Sequence, residues 1–526
     1  MKIAYAQMKV AAGHPDINTK KILQLIDAAR VQGADIVIFP EDAIAGELRD
    51  NTWLEESFRQ EVENCWKEII AASKNIFVVF QTIADYLIVK DGEEFYTQDL
   101  PWSMTLIEEW DIPYKSARLY VRFLSKPFSL NRLTILKTDR PEIRVGRVGI
   151  QNIGKTIYTF DGGSAVFNSR GEIVQRAEPF AESLNFIELE EIDKMPALEI
   201  VDESETEKIY RALYYGVKNF LEQIGMKKIV IGISGGIDSA VAAALYVQIV
   251  GAENVYLVNM PSKFNSSTTK NLSEQLAKNL GCKYFVVPIQ ESVDWTVKQL
   301  EGVGFNVSNF VRENIQARDR SARILAAVAA SVGGVFTCNA NKAESTVGYA
   351  TLYGDEAGFM SALADLWKFQ VYALANYMNE KIYGREVIPQ GIIDIVPSAE
   401  LSTAQNVDEG KGDPLKYPYH DYLFRAFAEK NSTPEEILNW YAADALEEKI
   451  GCSAGLVEKY FPTAKDFVDD LERWWKAFTG MGVAKRIQSP PILAVTNNPY
   501  GARCESQNGV HFTRAYLELR NKLIGK

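Results

Sequence analysis

The stretch that most constrains the fold is residues 229–239, which read IVIGISGGIDS. Residues 227–233 are apolar and rich in β-branched side chains, a pattern that predicts a buried strand. A serine and two glycines follow at once, and residues 240–250 then have the composition of a helix. A strand, a glycine turn and a helix N-terminus form an anion site, because backbone N–H groups and the helix dipole both favour a phosphate.

Besides a specialised phosphate loop, this turn could be a Walker loop or an ordinary tight turn. A Walker loop is excluded, because no G-x-x-x-x-G-K-[ST] pattern is present. An ordinary tight turn between a strand and a helix would explain two glycines alone. The serine before them and the Asp238-Ser239 pair after them favour the specialised loop.

Composition limits the classes of protein to which the chain can belong. Its 526 residues predict two or more domains, and 47% hydrophobic with 24% charged residues is typical of a globular protein. The net charge of −12, without a basic run, argues against nucleic acid as a partner. Five scattered cysteines without a CxxC pair indicate a reducing compartment, and no apolar run reaches the ~20 residues of a membrane span. We therefore expect a cytoplasmic enzyme with no membrane partner.

The N-terminal part alternates strands and helices. The pattern predicts strands at residues 3–7, 34–39 and 76–82, and helices at residues 18–33 and 58–74. The second strand runs into Pro40 and delivers Glu41 to its carboxyl end, where ligand groups often lie in α/β folds.

This opening resembles the nitrilase-like amidases, a family of carbon–nitrogen hydrolases in which the glutamate of an FPE segment is the general base. Glu41 matches that glutamate, and the FDGGS segment at residues 160–164 resembles one near the end of the same domain. The resemblance implies an α/β nitrilase-like domain over residues 1–195, shortened in its middle third. A polar, acidic stretch over residues 192–207 reads as the linker that follows it.

The amidase chemistry of that family also needs a nucleophilic cysteine and a lysine. Cys65 is the only cysteine before Cys282, and its place in the helical pattern VENCWKEII predicts core packing rather than catalysis. No lysine between Tyr86 and Arg140 lies in a setting that matches the family. We therefore expect Glu41 to be a vestigial base, with a site rebuilt around Cys65 as the alternative.

The C-terminal part again alternates strands and helices, which predicts a doubly wound parallel sheet with helices on both faces. Right-handed crossovers would bring the carboxyl ends of its strands, and the glycine turn, to one edge. The expected strands are residues 227–233, 254–261, 284–288 and 334–338, with a short apolar strand before Pro397, and the expected helices are residues 205–224, 266–280 and 313–332.

Further motifs follow on that edge in a fixed order. They are NIQAR at 314–318, ESTVGYATLYGD at 344–355, Lys368, PSAEL at 397–401 and AKRIQSPP at 484–491. With SGGIDS they resemble the PP-loop ATP pyrophosphatases and, over residues 203–526, the NAD+ synthetase family. The amidase-like domain ahead of them resembles the two-domain, glutamine-dependent branch of that family.

The resemblance implies a reaction in which ATP and Mg²⁺ adenylate the carboxylate of deamido-NAD. Pyrophosphate leaves, and ammonia, free or from glutamine, then displaces AMP. Asp238 and Glu344 match the Mg²⁺ ligands, and Asp238, Lys368 and Ser398 match catalytic residues. The residues matched to ATP are Gly232, Ile233, Ser234, Gly235, Gly236, Ile237, Asp238, Ser239, Lys368 and Ser398. Those matched to deamido-NAD are Arg318, Asp355 and Lys485.

Each residue also has a plainer interpretation. Asp238 could be only a helix N-cap, Glu344 and Lys368 could be surface charges, and Arg318 could form an ion pair along its own helix. Other PP-loop enzymes, such as a GMP synthetase, an asparagine synthetase or a tRNA thiolase, are a second reading, which GYATLYGD and PSAEL disfavour. A non-catalytic nucleotide-binding paralogue is a third, which the intact charged residues disfavour.

Two expectations concern partners. The absence of a suitable cysteine favours ammonia over glutamine as the nitrogen donor, with glutamine use through a rebuilt site as the alternative. The family resemblance implies at least a homodimer, built mainly by the C-terminal domain. The predicted helix at residues 313–332 has an apolar stripe through Ile324, Leu325, Val328 and Ala329, a pattern that is more often core than interface.

Overall fold

The computed structural model describes residues 1–47, 51–82, 86–96, 103–111, 117–132, 135, 138–199, 201, 203–501 and 509–525. The chain divides into two compact units, Met1–Ile153 with Ile157–Asn219, and Gly154–Thr156 with Phe220–Lys526. The division lies C-terminal to the expected linker, of which residues 200 and 202 are outside the described part.

The N-terminal half contains strands and three long helices, and the predicted strands and helices of its first 82 residues are confirmed within a few residues at each end. In chain order the elements are β1 (Lys2–Gln7), α1 (Pro15–Val31), β2 (Ile36–Ile38), α2 (Glu56–Ala72), β3 (Phe77–Gln81), β4 (Tyr86–Lys90), β5 (Glu93–Phe95), β6 (Met104–Ile107), β7 (Leu119–Leu124), β8 (Glu142–Gly146), β9 (Val148–Ile153), β10 (Thr156–Asp161), β11 (Ala165–Phe167), β12 (Ile173–Arg176), β13 (Ser183–Glu188) and α3 (Glu205–Gln223).

Two mixed sheets form the first unit. One has the strand order β13-β1-β2-β3-β4-β5, and the other has the order β12-β11-β8-β7-β6. Strands β1, β2 and β3 are parallel, as are β6, β7 and β8, while β13, β4, β5, β11 and β12 join through antiparallel pairs. The three parallel strands of each sheet send their carboxyl ends to one edge, where a site can form.

The layers of the first unit follow from the alternation of side chains along β1. Ile3 packs in a core cluster that also contains Val121 of β7, so the two sheets face each other. Ala4 points the other way and packs with Ile26 of α1 and Cys65 of α2. The unit is therefore layered as helices, first sheet and second sheet, which agrees with the predicted nitrilase-like α/β class.

The second unit begins with an α/β part and continues into helices. Its elements are β14 (Ile229–Gly232), α4 (Ile237–Val250), β15 (Val255–Asn259), α5 (Ser267–Leu280), β16 (Lys283–Val286), α6 (Gln290–Gly302), α7 (Asn309–Arg318), α8 (Ala326–Val332), β17 (Val335–Phe336), α9 (Lys342–Val347), α10 (Lys368–Tyr377), α11 (Gln390–Asp394), α12 (Tyr417–Ala428), α13 (Pro434–Ala442), α14 (Leu446–Ile450), α15 (Leu456–Tyr460), α16 (Ala464–Thr479), α17 (Met481–Gln488), β18 (Ile492–Leu493) and α18 (Arg514–Leu523).

Strands β14–β17 of the second unit form a parallel sheet in the order β16-β15-β14-β17, which confirms the predicted parallel sheet. Strand β14 is an inner strand, and α4 is buried at Ile237 and from Ser239 to Tyr246. A central strand followed by a buried helix holds the intervening turn rigidly, because packing on both elements fixes its ends.

One local prediction about the second unit is wrong, and another is confirmed with a different start. The apolar residues before Pro397 form the short helix α11 rather than a strand, because a short apolar run is compatible with either structure. The predicted helix at 313–332 starts earlier, at Asn309 behind the N-cap Ser308, and its residues Asp319–Leu325 are π-helical. None of the described helices is long and apolar enough to cross a membrane.

The apolar stripe of this helix packs inside the unit. Ile324, Leu325 and Ala329 belong to a core cluster with Val230 and Val258, and each is at most 7% exposed. The stripe is therefore core, which the sequence pattern favoured, and it gives no support to the expected homodimer.

Candidate functional site

The turn after β14 is held in one conformation by its own residues. Gly235 has φ +88°, and a Cβ atom there would lie 2.4 Å from the carbonyl oxygen of Thr269, so only glycine fits. The Ser234 hydroxyl accepts a hydrogen bond from the Gly236 N–H at 3.1 Å, and the Ser239 hydroxyl donates to the Gly236 carbonyl at 3.0 Å. Gly236 is the N-cap of α4, so the turn presents the helix N-terminus to the adjoining cavity.

Three of the predicted charged residues meet beside this turn. The Lys368 Nζ atom lies 2.5 Å from Asp238 Oδ2 and 3.7 Å from Glu344 Oε1. Asp238 is in the first turn of α4, Glu344 is in α9 and Lys368 is the first residue of α10. The structure therefore brings together side chains that are 130 residues apart in the chain.

Two residues that the sequence reasoning did not single out complete this charged cluster. The Asn341 side-chain amide donates to Asp238 Oδ1 at 3.2 Å, and the Tyr417 hydroxyl donates to Glu344 Oε1 at 3.1 Å. Asn341 is the N-cap of α9 and forms a capping box with Glu344. The Asn-x-x-Glu spacing was therefore a readable signal for Asn341, whereas no local signal indicated Tyr417.

The electrostatics of the cluster follow from its burial. Burial, together with the neighbouring Asp238 charge, raises the pKa of Glu344 to about 8. Burial alone would lower the pKa of Lys368, but the carboxylates of Asp238 and Glu344 raise it above its ordinary value. Lys368 thus stays charged beside Asp238 and Glu344.

The donor set of this cluster fits Mg²⁺ bound together with a nucleotide. Asp238 and Glu344 supply carboxylate oxygens, the ligand type that Mg²⁺ prefers, and Mg²⁺ commonly takes one or two carboxylates plus substrate phosphates and waters. Among the described residues, no group of three or more His, Cys, Asp or Glu side chains could hold a metal unaided. Phosphate oxygens and water would therefore complete the coordination.

Two cavities meet at the cluster, and Ser234, Asp238, Glu344 and Asp355 line both of them. The smaller, of about 180 Å³, is lined by the glycine turn, by Lys368 and by residues 397–400. The larger, of about 250 Å³, extends past the end of β15 to residues 355–357.

Ser398 lines the smaller cavity, but its hydroxyl has partners within its own loop. It donates to the Gln405 carbonyl at 2.7 Å and accepts from the Glu400 N–H at 3.2 Å. Glu400, at φ +47°, accepts from the Thr269 hydroxyl at 2.6 Å, which ties this loop to α5. The loop is thus fastened beside the glycine turn.

The residues expected to contact deamido-NAD are placed differently from one another. Asp355 faces both cavities. Arg318 is exposed and donates to the Leu352 carbonyl at 3.0 Å, and it is not among the lining residues of either cavity. Lys485 donates to the carbonyls of Gly348 and Ala350 at 2.6 and 2.5 Å, so it braces that loop and does not line either cavity.

Arg320 lines the larger cavity, although the sequence reasoning had selected Arg318. Its guanidinium donates to the Met260 carbonyl at 3.1 Å and to Asn265 Oδ1 at 3.3 Å. Arg320 lies in the π-helical segment 319–325. Arg318 was matched through the NIQAR motif, which ends one residue before this segment.

The first unit has its own polar cluster, at the carboxyl end of β2. Glu41 follows this strand, and burial, then the neighbouring Asp42 charge, raises its pKa to about 7. Arg147 is 4% exposed, pairs with Glu47 at 3.0 Å and lies over the Phe160 ring at 4.1 Å. Within the described chain, Glu41 Oε2 and Arg147 Nη1 are buried without a hydrogen-bond partner.

The strand ends of the second sheet carry no thiol. Strand β6 ends at Ile107 and is followed by Glu108 and Glu109, and Glu109 accepts the backbone N–H groups of Ser125 and Lys126, each at 2.8 Å. Cys65 lies in α2, on the opposite face of the first sheet, at 3% exposure. Burial raises the pKa of its thiol, which disfavours the nucleophilic thiolate.

Residues 209–451 match the family model of NAD synthase. The glutamine-dependent NAD(+) synthetase of Synechocystis sp. is 34% identical over a match that covers 62% of this chain and 56% of the relative. The enzyme of the same name from Thermotoga maritima is 26% identical, with 83% of this chain and 90% of the relative covered.

Solved structures share the fold over the whole chain. The glutamine-dependent NAD(+) synthetase of Cytophaga hutchinsonii has a TM-score of 0.77 at 14% identity, covering 99% of both chains. The one of Acinetobacter baumannii, solved with ADP, has a TM-score of 0.66 at 23% identity, covering 95% of this chain and 97% of that one. Residues 209–451 therefore belong to the NAD synthase family, and the chain as a whole shares the fold of these two glutamine-dependent NAD(+) synthetases.

Proposed function

We propose that this enzyme converts deamido-NAD to NAD+ by adenylating its carboxylate with ATP, with release of pyrophosphate and then AMP. The observation that carries the proposal is the convergence of Asp238, Glu344 and Lys368 beside the glycine turn. A carboxylate is a poor electrophile, so its amidation requires activation, and the departing pyrophosphate requires a site that stabilises its charge.

Different residues of the smaller cavity would bind the pyrophosphate and stabilise its charge. The N–H groups at the start of α4 and the Ser234 and Ser239 hydroxyls would bind the pyrophosphate, and the Lys368 ammonium would stabilise its developing charge. Mg²⁺, when bound with ATP by Asp238 and Glu344, would neutralise phosphate charge. Ser398 would contact a phosphate once its hydroxyl is released from Gln405.

Deamido-NAD would lie in the larger cavity with its reacting carboxylate toward the charged cluster. Asp355 faces that cavity and would lie beside the nicotinate end, and Arg320 offers a cation to the same space. A dinucleotide extends beyond one such cavity, so the exposed Arg318 remains our proposed contact for its outer part. Lys485 would act indirectly, because its hydrogen bonds to the carbonyls of residues 348 and 350 fix the loop that contains them.

Ammonia is our proposed nitrogen donor. The named relatives are glutamine-dependent, so the comparisons do not support a loss of glutamine use. Support for the proposal comes from this chain's own residues, since Cys65 is the only thiol in the first unit and packs in a helix core. Without a thiolate the covalent intermediate that makes amide cleavage accessible cannot form.

An assay of NAD+ formation tests both parts of the proposal. The purified chain is supplied with ATP, Mg²⁺ and deamido-NAD, with ammonium chloride in one series and glutamine in the other. We expect NAD+, AMP and pyrophosphate with ammonium, and negligible NAD+ with glutamine. No NAD+ from either donor would overturn the synthetase proposal, and robust synthesis from glutamine would overturn the choice of donor.

We also propose a homodimer, and the support for it is a set of large apolar side chains exposed on the second unit. Edge strand β16, helix α6 and the residues that follow expose large apolar side chains: Phe285, Trp295, Phe305 and Phe310 are 45%, 60%, 64% and 73% exposed. Exposed apolar side chains of this size are common at interfaces. Light scattering at micromolar concentration should give at least twice the chain mass of 59.0 kDa, and a monomer would contradict the proposal.

A further inference from the structure

We propose that Glu356 is the ammonium-binding residue of the second unit and takes one proton from ammonium as ammonia is delivered to the adenylate. This inference rests on the proposed function and adds to it the site of the nitrogen substrate. It starts from a carboxylate that neither the sequence motifs nor the mechanism above has used.

Glu356 is a buried acid with an unused oxygen. It is 7% exposed, it lines the larger cavity, and its Oε1 atom has no hydrogen-bond partner in the described part of the chain. A buried carboxylate without a partner costs free energy, so its presence in a cavity wall points to a ligand that supplies donors.

The charged groups near Glu356 do not hydrogen-bond to its Oε1 atom in the described part of the chain. Asp355, Lys485, Arg486 and Lys155 all influence its charge, but Lys485 donates its protons to the carbonyls of residues 348 and 350. Arg486 donates to the carbonyls of residues 346 and 478, and Lys155 donates to those of residues 486 and 487. These cations partly offset the charge of Glu356 without filling its hydrogen-bonding capacity.

Ammonium matches this setting better than a metal ion does. A divalent metal needs several oxygen ligands, whereas one ammonium N–H···carboxylate bond already satisfies the orphan oxygen. Asp355, which faces the same cavity, adds a second negative charge. Ammonia is almost wholly protonated at neutral pH, so an enzyme that takes it from solution gains from a site that selects the cation.

The position of Glu356 also suits the delivery of ammonia to the adenylate. The cavity that Glu356 lines is also lined by Asp238 and Glu344, where the adenylate would be formed. Burial, together with the Asp355 charge, raises the pKa of Glu356 to about 7, so the carboxyl can take up a proton near neutrality.

One proton passes from ammonium to the Glu356 carboxylate, and the freed nitrogen lone pair forms a bond to the acyl carbon of the adenylate. The bond from that carbon to the phosphate oxygen breaks, and AMP leaves with the electron pair. The nitrogen loses its second proton to solvent, which gives the amide.

The decisive experiment compares Glu356→Gln with the wild-type chain at saturating ATP and deamido-NAD. Loss of a charge-assisted hydrogen bond should raise KM for ammonium chloride about tenfold. KM for ATP and for deamido-NAD should be unchanged, and Glu356→Asp should recover part of the ammonium affinity. The exposed Glu291→Gln on α6 is the matched control and should leave all three constants unchanged.

A partial reaction separates this inference from the proposed function. Exchange of labelled pyrophosphate into ATP, dependent on deamido-NAD and run without ammonium, reports adenylation alone and should be the same in Glu356→Gln and wild type. No exchange in the wild type would refute the proposed function itself. Normal exchange with an unchanged KM for ammonium in Glu356→Gln, or loss of exchange in that variant, would overturn the ammonium site.

Discussion

The two units place acidic side chains at the carboxyl ends of parallel strands beside a cation, yet the two clusters differ in how their charges are matched. In the second unit, Lys368 lies 2.5 and 3.7 Å from the carboxylates of Asp238 and Glu344. In the first unit, Arg147 pairs with Glu47, and Glu41 keeps a buried oxygen without a partner in the described residues. Similar strand ends thus hold an acid paired with a cation in the second unit and a buried acid with an unpaired oxygen, within the described residues, in the first.

The buried ion pairs that support the two clusters differ as well. Beneath Glu344, the fully buried Lys342 on the same helix lies 2.7 Å from Asp365 Oδ1 and 2.9 Å from Glu429 Oε1. Breaking such a buried pair costs about 3–5 kcal/mol, so α9 is held firmly. Glu41 has no comparable ion pair among the described residues, and burial, followed by the neighbouring Asp42 charge, raises its pKa.

The largest effect is expected from breaking the second cluster. Asp238→Asn keeps the shape of the side chain but removes the charge that faces Lys368 and the expected metal. Removing one preorganised electrostatic group typically costs about 10²–10³ in kcat, and NAD+ formation from ammonium should fall by that factor. Steady-state kinetics at varied Mg²⁺ measure it, with circular dichroism as the check on folding.

Glu41→Gln is the matched variant of the first unit and should leave ammonium-dependent synthesis unchanged. If Asp238→Asn retained near-wild-type rates at limiting Mg²⁺, or if Glu41→Gln were as damaging as Asp238→Asn, the contrast between the units would be wrong.

A smaller effect should appear in the stability of the chain at different pH values. A carboxyl whose folded pKa is raised from 4.5 to about 7 binds more protons in the folded than in the unfolded state between those values. Glu41 therefore lowers the free energy of unfolding as pH rises from about 4.5 to 7, and its cost is constant above that. Glu41→Gln should be more stable than wild type at pH 8 and lose that advantage near pH 4.5.

Urea unfolding at a series of pH values measures this difference. The exposed Glu291→Gln controls for the loss of one negative charge. A parallel pH dependence for Glu41→Gln and the wild type would show that Glu41 is not a buried, unmatched acid.

The order of the elements and the charged centre of the second site could be predicted from the sequence, because both depend on local patterns. The β14–α4 turn combines a β-branched strand, two glycines and a following helix, and its geometry is fixed by a few adjacent residues. Asp238, Glu344 and Lys368 were identified by the resemblance of the ordered motifs to a known family, and the structure brings their side chains together.

What the sequence did not reveal depends on tertiary packing. Tyr417 reaches Glu344 from α12, 73 residues away, and no periodicity encodes that contact. Arg320 lines the larger cavity from the π-helical segment 319–325, a position that the NIQAR motif at 314–318 does not include. The run before Pro397 was ambiguous between helix and strand because it is short.

The smallest effect is expected from Cys65→Ala, and this variant tests the first unit most directly. The Cys65 side chain packs in α2 between the helices and the first sheet, at 3% exposure, while Glu41 lies at the end of β2. Removing its sulfur should destabilise the chain by only about 1 kcal/mol, as for other small deletions in a core. The rate of NAD+ formation from ammonium should not change, and synthesis from glutamine should stay negligible in both proteins. Side-by-side assays with the two nitrogen donors, plus a urea midpoint for each protein, measure this. Glutamine-driven synthesis that is strong in the wild type and vanishes in Cys65→Ala would mean that the thiol reaches Glu41 in a rearranged first unit. Both units would then be catalytic.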